Sequence, residues 1–149
     1  IKDMVSQGLK FIVFCYHKSF MDKMEEACDG VDYIRIDGDT PVKKRQEYVD
    51  LFQENKAQVA ILSLLAASTG FTLTATSLLI FAELNFVPGT MLQAEDRIHR
   101  IGQTENVDIR YIIAENTLDD YIFKMLVRKL DTLDQVLDSR SDRNFELTN

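Results

Sequence analysis

Cysteine and histidine are scarce in this chain, which limits the chemistry that it can carry out. It has two of each among 149 residues, and neither pair has the spacing of metal ligands. Neither histidine has a serine or cysteine and a third orienting group at a recognisable spacing, so nothing supports nucleophilic catalysis. Cys15 and Cys28 are therefore expected to be reduced thiols, which favours an intracellular location.

Long apolar runs and targeting signals are also missing. No apolar run approaches the length of a membrane span, and no segment has the pattern of a signal peptide. The chain starts at Ile1 rather than at a methionine, so we expect a segment of a longer protein. Its length suits one domain with a substantial core.

Two elements that ATP hydrolysis needs are absent from the sequence. No G-x-x-x-x-G-K-[ST] loop occurs to hold phosphates, and no D-E-x-H-like element ends a strand to hold magnesium. We therefore predict that the chain alone does not hydrolyse ATP. The net charge of −7 argues against strong binding to nucleic acid, although a local basic strip that includes Lys43 would still allow weak binding.

Apolar, strand-like runs alternate with segments of helical period. This alternation predicts an α/β fold, in which helices cover both faces of a parallel sheet. Predicted strands are residues 10–16, 33–37, 59–63, 77–82 and 107–114, and predicted helices are about 20–28, 41–54, 90–100 and 118–137. Capping signals predict helix starts at Ser19, Thr40 and Thr117. We expect one domain over residues 1–138 and a flexible tail over residues 139–149.

Residues 93–103 contain the most informative pattern. At about 100° per residue, a helix places Gln93, Arg97 and Arg100 on one polar stripe, separate from an apolar stripe. Two arginines one turn apart suit phosphate or carboxylate oxygens, because the guanidinium keeps its charge and donates from a planar fork. The alternative is a solvated helix face whose arginines pair with neighbouring acids.

The same residues resemble motif VI of superfamily-two helicases, and the ending H-R-I-G-Q is typical of SWI/SNF-like ATPases. Three further segments resemble motifs of this family in the expected order: residues 11–17 resemble motif IV, 35–40 the D-G-x-T element, and 61–73 motif V. The residues around Pro88 are most similar to the annealing-helicase, fork-remodelling branch. On these motifs the chain is identified as a member of this family.

The resemblance implies a RecA-like fold and the role of the second, C-terminal motor lobe in a DNA-dependent ATPase. ATP and Mg²⁺ would be bound mainly by a first lobe that the chain lacks. Arg97 and Arg100 would then act as arginine fingers on that ATP. The resemblance also places Gly70, Gln93 and Gln103 beside the nucleotide.

Contacts with the DNA backbone are implied at two strand ends. Gly38, Asp39 and Thr40 follow a strand and open a helix, where N–H groups and a hydroxyl can hold a phosphate. Lys43 and Ser63 are further candidates for sequence-independent DNA contacts. The alternatives are a plain capped turn at Thr40 and an ordinary strand-end serine at Ser63.

Two rival functions stay open at this point. One is a strand-separating RNA or DNA helicase, which H-R-I-G-Q disfavours, and the other is a non-catalytic interaction domain, which intact Arg97 and Arg100 disfavour. We expect a monomeric nuclear protein without membrane contact or metal site. Glu83, an acid at a strand end, is interpreted as structural rather than catalytic.

Overall fold

The computed structural model describes residues 1–66, 72–95 and 106–136. The helices and strands are, in chain order, α1 (Lys2–Ser6), β1 (Phe11–Cys15), α2 (Lys18–Ala27), β2 (Tyr33–Ile36), α3 (Val42–Gln53), β3 (Val59–Ser63), β4 (Leu78–Phe81), α4 (Pro88–Glu95), β5 (Asp108–Tyr111) and α5 (Leu118–Val136). The strands form one parallel sheet in the order β2-β3-β1-β4-β5. The predicted α/β fold is confirmed.

The central strand β1 explains why the sheet is covered on both faces. All five of its residues are fully buried, because alternate side chains point to opposite faces and each face has its own core. Phe11, Val13 and Cys15 lie in a cluster that includes Met21 of α2. Ile12 and Phe14 lie in the opposite cluster. That cluster also contains residues of α3, α4 and α5, among them Phe52, Met91 and Ile122.

Helix starts agree with the capping signals at one site of three. Helix α2 begins before Ser19, with His17 as its N-cap, and the Glu83 carboxylate accepts hydrogen bonds from the N–H groups of Tyr16 and His17. Helix α3 begins after Pro41, and Thr40 lies before its cap. Neither helix has a side-chain cap bond of its own. Thr117 is confirmed, since its hydroxyl accepts a hydrogen bond from a first-turn amide of α5 at 3.2 Å.

The first helix, α1, was not predicted from the sequence, whereas the last helix, α5, was. No sequence pattern predicted α1, because five residues are too few to show a helical period. Its Met4 and Val5 pack, partly buried, against the cluster beneath α2. Helix α5 packs on the domain as predicted, through buried Ile122 and Leu126. Residues 137–149 lie outside the described residues, so the domain end and the tail stay predictions.

Within the described ranges, no helix has the length and apolar character that a membrane crossing requires.

Candidate nucleic-acid interface at the carboxyl edge

Four loops leave the sheet at the same edge. Cys15 of β1 lies level with Ser63 of β3, and Ile36 of β2 lies level with Leu62. Because all strands are parallel, the loops that follow β2, β3, β1 and β4 meet at their carboxyl ends, where α/β sheets bind ligands. We call this region the carboxyl edge, and its described residues are 16–18, 37–41, 63–66 and 82–87.

Asp37 organises the loop after β2. It is 8% exposed, and its Oδ1 accepts hydrogen bonds from Asp39 N–H at 3.0 Å, Thr40 N–H at 3.1 Å and Thr40 Oγ1 at 3.2 Å. The Thr40 hydroxyl in turn accepts a hydrogen bond from Asp37 N–H at 3.0 Å. The donors that the sequence offered to a phosphate therefore have an internal carboxylate as acceptor. Sequence reasoning missed this role of Asp37.

Two arginines hold this loop from outside. The Arg35 guanidinium donates to Asp37 Oδ2 at 3.2 Å, and its Nη1 also pairs with Asp22 and Glu25 of α2 at 2.7 and 2.5 Å. Arg45 of α3 donates to the carbonyl oxygens of Thr40, Asp37 and Gly38 at 2.8, 3.2 and 3.3 Å. The loop is thus fixed to both neighbouring helices.

Charge and burial act in opposite directions on the titration of this cluster. Burial alone would raise the pKa of Asp37, but the Asp39 amide, the Thr40 hydroxyl and the Arg35 charge together hold that pKa below its ordinary value. For Arg35, burial favours the neutral form, but bonds to the acids of α2 raise its pKa well above the ordinary value. Asp37 and Arg35 are therefore both ionised at neutral pH.

Glu83 links the end of β4 to the start of α2. Its Oε2 accepts hydrogen bonds from Tyr16 N–H at 2.8 Å and His17 N–H at 2.9 Å, and its Oε1 lies 2.7 Å from His17 Nδ1. The side chain is 18% exposed. A carboxylate at this place satisfies amides at a helix start and faces the positive end of the helix dipole. These contacts support the structural interpretation of Glu83.

The two cysteines are unreactive, and the described residues form no metal site. Cys15 and Cys28 are free and buried, in agreement with the prediction of reduced thiols. Burial and then the Glu83 charge raise the pKa of Cys15 to about 12, so this thiol stays protonated and unreactive. In the part of the chain that the structure describes, no three His, Cys, Asp or Glu residues form a metal site.

The remaining predicted DNA contacts differ in accessibility. Ser63 is the last residue of β3 and only 5% exposed, so a phosphate reaches it only if neighbouring groups move. Lys43 lies in the first turn of α3 and is exposed. Gly38 and Asp39 are also exposed. The structure thus places Gly38, Asp39 and Thr40 together on one loop and Lys43 on the helix that follows.

Helix α4 contains Gln93, the first residue of the predicted polar stripe, and its exposure agrees with the prediction. In α4, Gln93 is exposed while Met91 and Ala94 are buried. Glu95 is also buried and accepts a hydrogen bond from Tyr111 Oη at 2.5 Å. The predicted site residues Gly70, Arg97, Arg100 and Gln103 lie outside the described residues.

This is an α/β domain with a parallel sheet, polar and ordered loops at the carboxyl edge, and a helix after β4 that exposes Gln93 and buries Met91 and Ala94. Residues 1–102 match the family described as helicase conserved C-terminal domain. This match covers more than half of the chain, and the chain belongs to that family. The recognition from sequence motifs is confirmed.

The relatives include a SWI/SNF-related regulator of chromatin and a DNA annealing helicase. The chain is 47% identical over 139 residues to SWI/SNF-related matrix-associated actin-dependent regulator of chromatin subfamily A-like protein 1 of Drosophila melanogaster, covering 91% of this chain and 18% of that protein. It is 44% identical over 141 residues to DNA annealing helicase and endonuclease ZRANB3 of Mus musculus, covering 93% of this chain and 13% of that protein. The chain thus spans less than a fifth of either relative.

A solved structure supports the fold independently. The C-terminal part of the Fun30 ATPase domain superposes with a TM-score of 0.77 at 30% sequence identity, covering 83% of this chain and 40% of that one. The predicted RecA-like fold is therefore confirmed.

Proposed function

We propose that the chain is the second motor lobe of a DNA-dependent ATPase of the SWI/SNF-like type. The observation that carries this proposal is the family match over residues 1–102, because that stretch contains both the carboxyl edge and the two motif VI arginines. A SWI/SNF-related regulator and an annealing helicase among the relatives support a DNA translocase or annealing function in the nucleus. The lobe acts as a monomer.

ATP and Mg²⁺ would be held mainly by a first lobe. Bound there, ATP supplies the phosphoryl group that is transferred to water. The exposed position of Gln93, opposite the buried Ala94, fits a polar helix face that meets a ligand outside this domain. By helical spacing in the sequence, Arg97 and Arg100 would fall on the same stripe and would stabilise charge on the phosphates when the lobes close. Gly70 and Gln103 would line the same cleft.

DNA would be contacted through its backbone at the carboxyl edge. Gly38, Asp39 and Thr40 lie on one ordered loop, where a phosphate would share the Asp39 and Thr40 amides with Asp37 or take them from it. Lys43 offers an exposed cation beside that loop, and Ser63 lies at the end of β3. These contacts carry no sequence information, and cycles of lobe closure would step the protein along duplex DNA. Because the chain has a net charge of −7, the lobe alone should bind DNA weakly.

The test uses this chain joined to its own first lobe. Arg97→Ala and Arg100→Ala should each lower DNA-stimulated turnover of ATP by roughly 10³- to 10⁵-fold, the range found for arginine fingers. Arg100→Lys should stay severely impaired, because lysine keeps the charge and loses the planar fork. Arg110→Ala is the matched control, since Arg110 is a half-exposed arginine paired with Asp108 on β5. Turnover within a few-fold of wild type in both alanine variants would refute the proposal.

A further inference from the structure

One ion pair at the carboxyl edge joins the first residue of α2 to the loop after β2. The Lys18 ammonium donates to Asp39 Oδ2. Lys18 follows β1 and Asp39 follows β2, and β3 lies between these two strands. Since the register sets Ser63 level with Cys15, the ion pair lies beyond the carboxyl end of β3, where a DNA phosphate is proposed to bind.

The Lys18 and Asp39 side chains are both exposed, although the main chain of Asp39 is fixed. The main chain of Asp39 is fixed by its N–H bond to Asp37, but its side chain is 80% exposed, and the Lys18 side chain is 55% exposed. The hydrogen bond with Asp39, together with the charges of Asp39 and Asp37, raises the pKa of Lys18, against burial and the opposing charge of Arg35. Lys18 is therefore a full cation whose partner is a side chain that can swing away.

The Asp39 carboxylate occupies the place beside the Lys18 ammonium that a phosphate oxygen would take. Both groups are singly charged, and both accept hydrogen bonds from an ammonium group. We propose that Lys18 is a further ligand for a DNA backbone phosphate, and that the Asp39 side chain competes with that phosphate for Lys18. This inference rests on the proposed function. In this proposal, the Asp39 side chain weakens DNA binding, whereas the loop that carries Asp39 contacts the DNA backbone.

The test is a double-mutant cycle on the 149-residue chain, titrated with a mixed-sequence DNA duplex over a salt series. Asp39→Asn frees Lys18 and should tighten binding about five- to tenfold near 0.1 M salt, with a salt slope steeper by about 0.9, as expected for one added phosphate contact. Lys18→Gln should weaken binding less than about twofold in wild type, and should remove the whole gain in the Asp39→Asn background.

Asp29→Asn is the matched control for net charge. Asp29 is exposed and follows α2 at the opposite edge of the sheet. Its charge is screened over about 10 Å at 0.1 M salt, so its removal should change affinity less than about twofold. Asp39→Ala provides a second variant, and circular dichroism checks that each variant is folded.

Different results would disprove the competition for Lys18 and the DNA contact itself. Salt-sensitive binding by wild type, with Asp39→Asn no tighter than Asp29→Asn, would overturn the competition while leaving the DNA contact standing. An equal cost of Lys18→Gln in both backgrounds would overturn it too. If neither wild type nor Asp39→Asn bound DNA at low salt, the proposed DNA contact itself would be wrong.

Discussion

Removal of the Glu83 carboxylate is the most direct test of how the carboxyl edge is built. Glu83 accepts two amide hydrogen bonds at 2.8 and 2.9 Å and lies 2.7 Å from the His17 ring nitrogen. Hydrogen bonds to a charged group contribute about 1.5–3 kcal/mol each, but these share one acceptor, so we expect Glu83→Ala to cost about 2–4 kcal/mol in all. At about 2–4 °C per kcal/mol, the melting temperature should fall by about 4–16 °C.

Companion variants separate the parts of this contact. The His17 ring is 67% exposed, so His17→Ala should cost only about 0–1 kcal/mol. Glu83→Gln keeps one oxygen that can accept from both amides but loses the charge and places an NH2 group beside His17, so its loss should lie between those of the two alanine variants. Glu54→Gln is the control, because it removes an acid paired with Lys56 on the open surface.

Urea unfolding of the isolated chain, followed by circular dichroism, measures these differences. The expected order of loss is Glu83→Ala, then Glu83→Gln, then His17→Ala and Glu54→Gln together. If Glu83→Ala unfolded at the same urea concentration as Glu54→Gln, the amide bonds would not hold the ends of β1 and β4 together, and the reasoning would fail.

Three other predictions concern pH, catalysis and DNA. Folding lowers the pKa of Asp37, so the stability that its carboxylate contributes is present above the unfolded pKa near 3.9 and is lost as pH falls through the folded value. The difference in unfolding free energy between wild type and Asp37→Asn, measured by urea unfolding, should therefore shrink from about pH 6 to about pH 3. A constant difference would contradict the ionised state assigned to Asp37. The isolated chain should show no ATP hydrolysis in a phosphate-release assay with or without DNA, because it has no phosphate-binding loop; DNA-stimulated hydrolysis at an ordinary enzyme rate would disprove this. Duplexes of unrelated sequence should bind with the same weak affinity and lose it as salt rises, as measured by fluorescence anisotropy. A sequence preference that survives high salt would contradict this prediction.

β1, β3 and β4 were predictable because each is a run of mostly apolar residues that are almost all buried. The predicted bounds of Val59–Ser63 agree to the residue with β3, and a strand buried on both faces leaves little freedom in its register. The short helix Lys2–Ser6 was not predictable, because its position depends on packing against a cluster formed by later strands. Local pattern thus identifies the elements whose burial is complete.

The candidate site was predictable in place but not in detail. The sequence pointed to the loop at Gly38–Thr40 as a phosphate contact. It could not show that Asp37 takes the donors of that loop, because the burial and charge of Asp37 depend on Arg35 and on acids of α2. Glu83 binds amides more than sixty residues earlier in the chain, and no local spacing reveals such a partner.

The strand order has a consequence for how the polypeptide acquires its structure during synthesis. β1 and β2 are made before the other three strands but are not neighbours, and within the described residues each pairs with strands that begin at Val59 or later. The apolar segment Phe11–Cys15 therefore leaves the ribosome with both edges unpaired, as a segment of high β-propensity without charge. Until β3 emerges, the sheet cannot protect this segment from pairing with other chains.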